Sequence, residues 1–373
     1  MIKAIIKTIK LFIMMKIHCI GIILTLLVSN PVQSQSFRGI SVLNDSCSWI
    51  SGSQGQVLFF ENNWVNRSPQ NPKYSIKDFR DIHAWNERSV IIMSAGDSGV
   101  LLRTEDSGKS WTEVFSDFRK GIFFDAFDFS AQHPELGILV GDPIGNKSHF
   151  YSLFTIDSGK TWNDFKKNEW NLCSDNLSSF FAASGSSVKI ISAEKQNDSL
   201  YSVELAFGGH GDSATSIIIT QVKININSLN DSFSSTYSYV LNLPKGDGVG
   251  IYSIDKIDDS LIIIGGGSWK YPNNNDFLKE YSSAWLLDYS TQIVKIKPLK
   301  INQYISGITA YMNVDKQINW ACGGTNGIVS NNKFVQKQTA QLKNINAVKF
   351  SENYLWIIGS QNQHIRLPLS PTK

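Results

Sequence analysis

The chain has 373 residues, of which 42% are hydrophobic, 18% charged and 12% aromatic, and it carries a formal net charge of +3. That much apolar material supports a large folded core and excludes a disordered, collagen-like or disulfide-scaffold protein. The positive charge is local: Lys3, Lys7, Lys10 and Lys16 lie in the first 34 residues, which hold no acid, and the remaining 31 basic residues face 32 acidic ones. A near-neutral body gives no electrostatic reason to bind nucleic acid.

At the N-terminus, Lys16 precedes the apolar run IHCIGIILTLLV (17–28), and Val32-Gln33-Ser34 follows as a cleavage site. This predicts a signal peptide over 1–34, a mature start at Gln35, and one domain over 35–373 that is periplasmic or secreted. The run is shorter than the roughly 20 residues that span a bilayer, so no membrane span is expected after cleavage. An uncleaved anchor would recruit the apolar residues 5–15, and Met15 is an alternative start. Cys19 lacks the small preceding residue that lipid attachment prefers. The mature cysteines Cys47, Cys173 and Cys322 are far apart and odd in number, which predicts at least one free thiol and leaves one long-range bridge open. His210-Gly211-Asp212 is a local pair of potential metal ligands, too few for a zinc site, and no cofactor is expected.

Along the mature chain, three kinds of segment recur. One is an apolar strand with a turn ahead of it: FRGISVL (37–43), FRDIHAW (79–85), FFDAFDF (123–129), IYSIDKI (251–257), ISGITAY (305–311) and INAVKF (345–350), with FFAASGSSVKIIS (180–192) as the irregular fourth member. The second is a β-branched or aromatic run that ends in glycine, at Gly52, Gly96, Gly141, Gly209, Gly266, Gly324 and Gly359. The third is the octet TEDSGKSW (104–111), nearly copied as TIDSGKTW (155–162). In each octet the Asp carboxylate can accept N–H bonds within its own turn, and Gly can take a positive φ. The Thr hydroxyl ties down the incoming strand, and Trp buries its ring between sheets. No stretch of helical periodicity follows residue 35. Four antiparallel strands repeated about seven times predict an all-β fold, a β-propeller of seven blades, with six to eight allowed by the irregular middle.

The octets resemble the Asp-box (BNR) repeat of sialidase-like propellers. SFRGISVLNDSCSWISGSQG (36–55) is similar to the first blade of photosystem II assembly-factor-like proteins. GDPIGNKSHFYSLFTIDSGKTW, FFAASGSS, GIYSIDKIDDSLIIIGG and GITAYMNVDKQINWACGGTNG are similar to later blades of the exported bacterial branch. The octet has decayed in ENNWVNRS, LDYSTQIV and SNNKFVQK. The resemblance implies an exported noncatalytic propeller, with one branch acting as an assembly factor.

Strand order puts the Gly turns and the blade-to-blade connections on one face, and the octets on the other. The octet residues Thr104, Asp106, Gly108, Trp111, Thr155, Asp157, Gly159 and Trp162 are therefore expected to be structural. Arg38, Arg80, Asp125, Tyr252 and Ser306, at the entries to inner strands, join Asp97, Asp142, His210 and Asp212, on Gly turns, as a candidate binding face around the channel mouth. A sialidase needs an arginine triad for the substrate carboxylate and a tyrosine nucleophile. The mature chain has seven arginines (Arg38, Arg67, Arg80, Arg88, Arg103, Arg119 and Arg366), none of them between residues 120 and 365. FRGI at 37–40 also lacks the proline of the sialidase start, so that activity is not expected. An alternative is a glycoside hydrolase similar to xyloglucanase-type propellers, in which Asp97 and Asp142 or Asp212 converge at roughly 5–10 Å. No G-x-S-x-G, H-E-x-x-H or P-loop pattern occurs. The expected function is binding or scaffolding of a protein or peptide partner, with a glycan as the second ligand class.

Overall fold

The computed structural model describes residues 35–371, except 97, 145–149, 166–176, 212–214, 226–229, 242, 244–245, 271–280 and 291–293. Among the described residues twenty-six strands form seven antiparallel sheets, each from one contiguous stretch of chain. The first blade is β1 (Phe37–Asn44), β2 (Cys47–Gly52), β3 (Val57–Glu61) and β4 (Trp64–Asn66); the second is β5 (Asp78–Ala84), β6 (Val90–Ala95), β7 (Gly99–Thr104) and β8 (Thr112–Asp117). The third is β9 (Phe124–Phe129), β10 (Gly137–Pro143), β11 (Phe150–Thr155) and β12 (Asn163–Asp164); the fourth is β13 (Val188–Asn197), β14 (Leu200–Gly208), β15 (Ser216–Asn225) and β16 (Asn230–Val240). The fifth is β17 (Val249–Asp258), β18 (Leu261–Ser268), β19 (Ala284–Asp288) and β20 (Lys295–Pro298). The sixth has β21 (Gly307–Met312), β22 (Ile318–Gly324) and β23 (Gly327–Ser330), and the seventh β24 (Ile345–Phe350), β25 (Tyr354–Gly359) and β26 (His364–Pro368). The fold is a seven-bladed β-propeller, as the repeats predict.

The strands are almost wholly apolar because each blade is covered on both faces. Along β6, Val90 and Ile92 pack toward the first blade, while Ile91 and Met93 pack toward the third. The same alternation runs around the ring and leaves one apolar cluster in each of seven seams. Cys47 and Cys322 sit in two of these seams as free, buried thiols, and burial pushes each pKa up to about 12. Cys173 lies outside the described residues.

The ring closes where the seventh blade meets the first. Phe37 and Ile50 pack on Ala347 and Ile358, Ser36 bridges Ser360, and Asn346 Nδ2 donates to Phe37 O at 2.7 Å. At the rim, Arg366 donates to Asp45 O at 2.7 Å and lies over the rings of Phe60, Tyr354 and Trp356.

Two local outcomes differ from the sequence reading. The sixth and seventh sheets have three strands each among the described residues. In the sixth blade the decayed octet SNNKFVQK opens a short helix, α1 (Lys333–Gln338), where a fourth strand is expected. Asn332 caps it, its Oδ1 accepting from Phe334 N at 3.0 Å and Val335 N at 3.1 Å, and Val335 is fully buried. One turn is too short for a 3.6-residue period to register in the sequence.

Both octets join the third and fourth strands of their blades. Asp106 Oδ1 accepts from Thr104 Oγ1 at 2.8 Å and from Ser110 N at 2.9 Å, and Oδ2 accepts from Ser110 Oγ at 2.6 Å. Thr104 Oγ1 in turn accepts from Gly108 N at 3.0 Å, where φ is +73°. Around Asp157 the same bonds recur with Thr155, Lys160 and Thr161, at 2.7–3.0 Å. Trp111 Nε1 donates to Arg67 O at 2.8 Å, which stitches the second blade to the first, while Trp162 is buried in its own seam. Hydrogen bonds, led by the one from the Ser110 hydroxyl, hold the Asp106 carboxyl down at about 2. We predict that Asp106→Ala and Asp157→Ala each lower stability by about 1–2 kcal/mol in chemical denaturation, the usual cost of a lost turn cap. Because the folded pKa of Asp106 lies below its unfolded value, this stabilisation is complete above about pH 4 and fades as pH falls toward 2. Urea midpoints measured across that range should show the wild type converging on the Asp106→Ala variant.

Candidate functional site

Inner strands β1 and β5 enter side by side on the Gly-turn face and bring Arg38, Asp78 and Arg80 together. Asp78 Oδ2 accepts from Arg80 Nε at 2.8 Å and lies 3.8 Å from Arg38 Nε, the three side chains being 27–29% exposed. Burial and the neighbouring Arg80 lower the pKa of Arg38, and Asp78 partly restores it. Asp125, on β9, lies in the same cluster with 1% exposure. Burial pushes its pKa well up and the Asp142 charge adds to this, while Arg80 and the N–H groups of Asp142 and Ala182 pull it back.

The other expected residues lie along the segment that leads into the fourth blade. Asp142 Oδ1 accepts from Phe180 N at 3.0 Å. His210 N donates to Ser179 O at 2.8 Å, and its Nδ1 is 2.8 Å from Val249 O. Tyr252 is buried, donates to Gly248 O at 2.5 Å, and stacks on Phe181 with ring centroids 4.0 Å apart; Tyr304 meets it edge-on at 4.9 Å. Ser306 is 2% exposed, and its carbonyl accepts from Ser184 Oγ at 2.8 Å. Asp97 and Asp212 lie outside the described residues. The structure thus joins Arg38, Arg80 and Asp125 around Asp78, and sets Asp142, His210, Tyr252 and Ser306 along residues 178–184.

This segment departs from its expected form. FFAASGSSVKIIS reads as one inner strand over 180–192, yet β13 begins only at Val188. Residues 182–187 instead form a strap across the central channel. Arg80 Nη1, from the second blade, donates to Ala182 O at 3.0 Å; Ile254 N, from the fifth, donates to Ser186 O at 2.7 Å; and Gly208 N, from the fourth, donates to Ser187 O at 2.9 Å. Ser186 Oγ donates to Ser253 Oγ at 2.7 Å, while Ser184 reaches the sixth blade through Ser306. Small side chains allow the close approach. Gly185 has φ +68°, and a Cβ there would lie 2.1 Å from the Asp81 carboxyl carbon.

Below the strap, inner strands of all seven blades line a cavity of about 300 Å³ that contains Asp81, Asp128, Lys189, Asp255 and Lys349. Lys189 Nζ donates to Asp128 Oδ1 at 2.9 Å, and Lys349 Nζ donates to both Asp255 oxygens at 2.8 and 2.9 Å. Burial alone would raise the Asp255 pKa, but Lys349 and Lys189 outweigh it and hold it low. Burial would likewise lower that of Lys189, and Asp128 with Asp255 keeps it raised. Sequence reasoning missed this network. Its one signal is a set of charged residues inside otherwise apolar strands, as in FRDIHAW, FFDAFDF and IYSIDKI.

Among the described residues no three His, Cys, Asp or Glu side chains group to hold a metal ion. Arg38 and Arg80 share Asp78. Arg103 pairs with Glu105, Arg119 pairs with Asp117, and Arg366 lies at the rim, so these five form no triad. We predict that Gly185→Ala, which forces the strap off Asp81, lowers stability by about 1–3 kcal/mol. Ser184→Ala removes the hydroxyl's two hydrogen bonds, to Ser306 O and Ser186 Oγ, and should cost about 1–2 kcal/mol. Thermal melting of both variants beside wild type measures the difference.

No protein-family model matches the chain, and no curated protein matches it. Solved structures of similar shape include one described as YCF48 bound to D1 peptide, at 12% identity and TM-score 0.50, covering 92% of this chain and 96% of that one. YCF48 from Cyanidioschyzon merolae is similar at 13% identity and TM-score 0.50, with 91% and 97% covered. The WD40 β-propeller domain of Doa1 is similar at 12% identity and TM-score 0.50, with 88% and 90% covered. At such identities the likeness is one of fold.

Proposed function

We propose that this chain is a noncatalytic propeller that binds a protein or peptide through its Gly-turn face, acting after export, in the cell envelope or outside it. The observation that carries the reading is the Arg38–Asp78–Arg80 cluster on the same face as the Phe181, Tyr252 and Tyr304 rings. Two guanidiniums that share one carboxylate keep N–H donors to spare, and Arg38 Nε, 3.8 Å from Asp78 Oδ2, makes no hydrogen bond. Arginine and tyrosine are the residues that most often anchor protein interfaces. A propeller of this shape has been solved as YCF48 bound to D1 peptide, which supports a peptide as the partner class. The hydrolase alternative rests on Asp97 paired with Asp142 or Asp212.

The test replaces Arg38 and Arg80 together by glutamine and leaves the buried Asp125 in place. Affinity capture from an envelope fraction should return a specific protein with the wild type. The double variant also loses the Arg80 bonds to Asp78 and Ala182 and should melt lower, but below its melting point it should bind that protein at least about tenfold more weakly, a loss of about 1.4 kcal/mol or more. Equal binding by the folded variant overturns the reading. Turnover of a polysaccharide that stops on Asp142→Asn would favour the hydrolase. N-terminal sequencing of exported material should return Gln35; Met1 or Met15 overturns the cleavage site.

A further inference from the structure

The central channel holds one acid that its own walls do not balance. Asp81, Asp128 and Asp255 face Lys189 and Lys349. Two ion pairs, Lys189 with Asp128 and Lys349 with Asp255, use four of the five groups. Asp81 is left with two backbone donors, Ile82 N and Phe127 N, each at 2.8 Å. His83, on the same wall, is held neutral by burial, with a pKa near 3. The strap residues opposite, Ser184, Gly185 and Ser186, carry no charge, and the nearby Arg80 is turned to Asp78 and Ala182.

The strap floors the cavity on the Gly-turn side. Toward the octet face Lys349 is 39% exposed while its partner Asp255 is 6% exposed. Those two residues also line an outer groove with Met312, Val314 and Glu352. A bare metal ion is a poor occupant, because the three carboxylates do not group to ligate one. A guest with a single cationic head and a short stem matches the one carboxyl that no cation pairs with and the volume of about 300 Å³.

We propose that the channel is a binding site for a small organic ammonium, which enters from the octet face and pairs with Asp81. Without a guest, burial and the Asp128 charge hold the Asp81 carboxyl protonated to well above its usual range, against the pull of Lys189 and the two N–H groups. An ammonium beside it favours the carboxylate, so binding releases a proton. Affinity then rises with pH, by up to about tenfold per unit, until Asp81 is ionised in the free protein.

The experiment is titration calorimetry of the full mature chain with n-butylammonium chloride, with n-butanol as the uncharged control. Runs at several pH values between about 5 and 7 use two buffers of different ionisation enthalpy. The expected result is binding of the ammonium alone, a proton released to buffer, and affinity that climbs with pH. Asp81→Asn should weaken binding at least about tenfold and abolish the pH dependence. Equal binding of butanol, no binding of the ammonium, or pH-independent binding without proton release overturns the proposal. So does undiminished binding by Asp81→Asn. Proton release is read on the unaltered protein, so the test stands even where the variant does not fold.

Discussion

Everything in this molecule depends on face-to-face burial between neighbouring blades. A sheet that is covered on both sides needs apolar residues at every position, and VIIMSA of β6 supplies them, sending alternate side chains to opposite neighbours. Each fully buried aliphatic or aromatic side chain contributes about 1.5–3 kcal/mol. Seven seams of such contacts fix the ring and leave a narrow axis. What lines that axis is then a question of which inner-strand residues lean inward.

The parts of the fold that were legible in the sequence are those set by local chemistry. An octet needs Thr, Asp and Gly at fixed spacing because all its bonds close within eight residues. Blade number follows from counting the units around it. The channel network is of another kind: Asp255 and Lys349 are 94 positions apart, and Lys189 and Asp128 are 61 apart. No local spacing announces such pairs, and a single charged residue inside an apolar strand was the only trace. The strap was misread for a physical reason. FFAASGSS carries the apolar opening of a strand, and the need for Gly185 arises only from Asp81, about a hundred residues earlier.

Of the expected binding residues, Arg38, Arg80 and Asp125, at the starts of inner strands, gathered beside Asp78, while Asp142, His210, Tyr252 and Ser306 met the segment that leads into the fourth blade. Arg38 and Arg80 stayed partly open to solvent, whereas Asp125, Tyr252 and Ser306 became buried. Entry position in the sequence therefore told which face a residue belongs to, but not its depth. Depth is set by the strap and by Phe181, which cover the mouth. The two ends of the channel consequently differ in chemistry: arginines and aromatic rings outside a closed end, buried ion pairs inside an open one.

The seam between the seventh and first blades is unlike the other six. Its fully buried apolar part is Phe37, Ile50, Ala347 and Ile358, far smaller than the cluster between the third and fourth blades. Hydrogen bonds at Ser36, Asn346 and Asp45 and the Arg366 rim contacts supplement it. The strap's hydrogen bonds tie the second, fourth, fifth and sixth blades to one another. The ring thus resembles a bracelet whose clasp is largely aromatic and polar: Phe60 and Trp64 meet Trp356 and His364 across it, while the cross-tie links blades outside that seam.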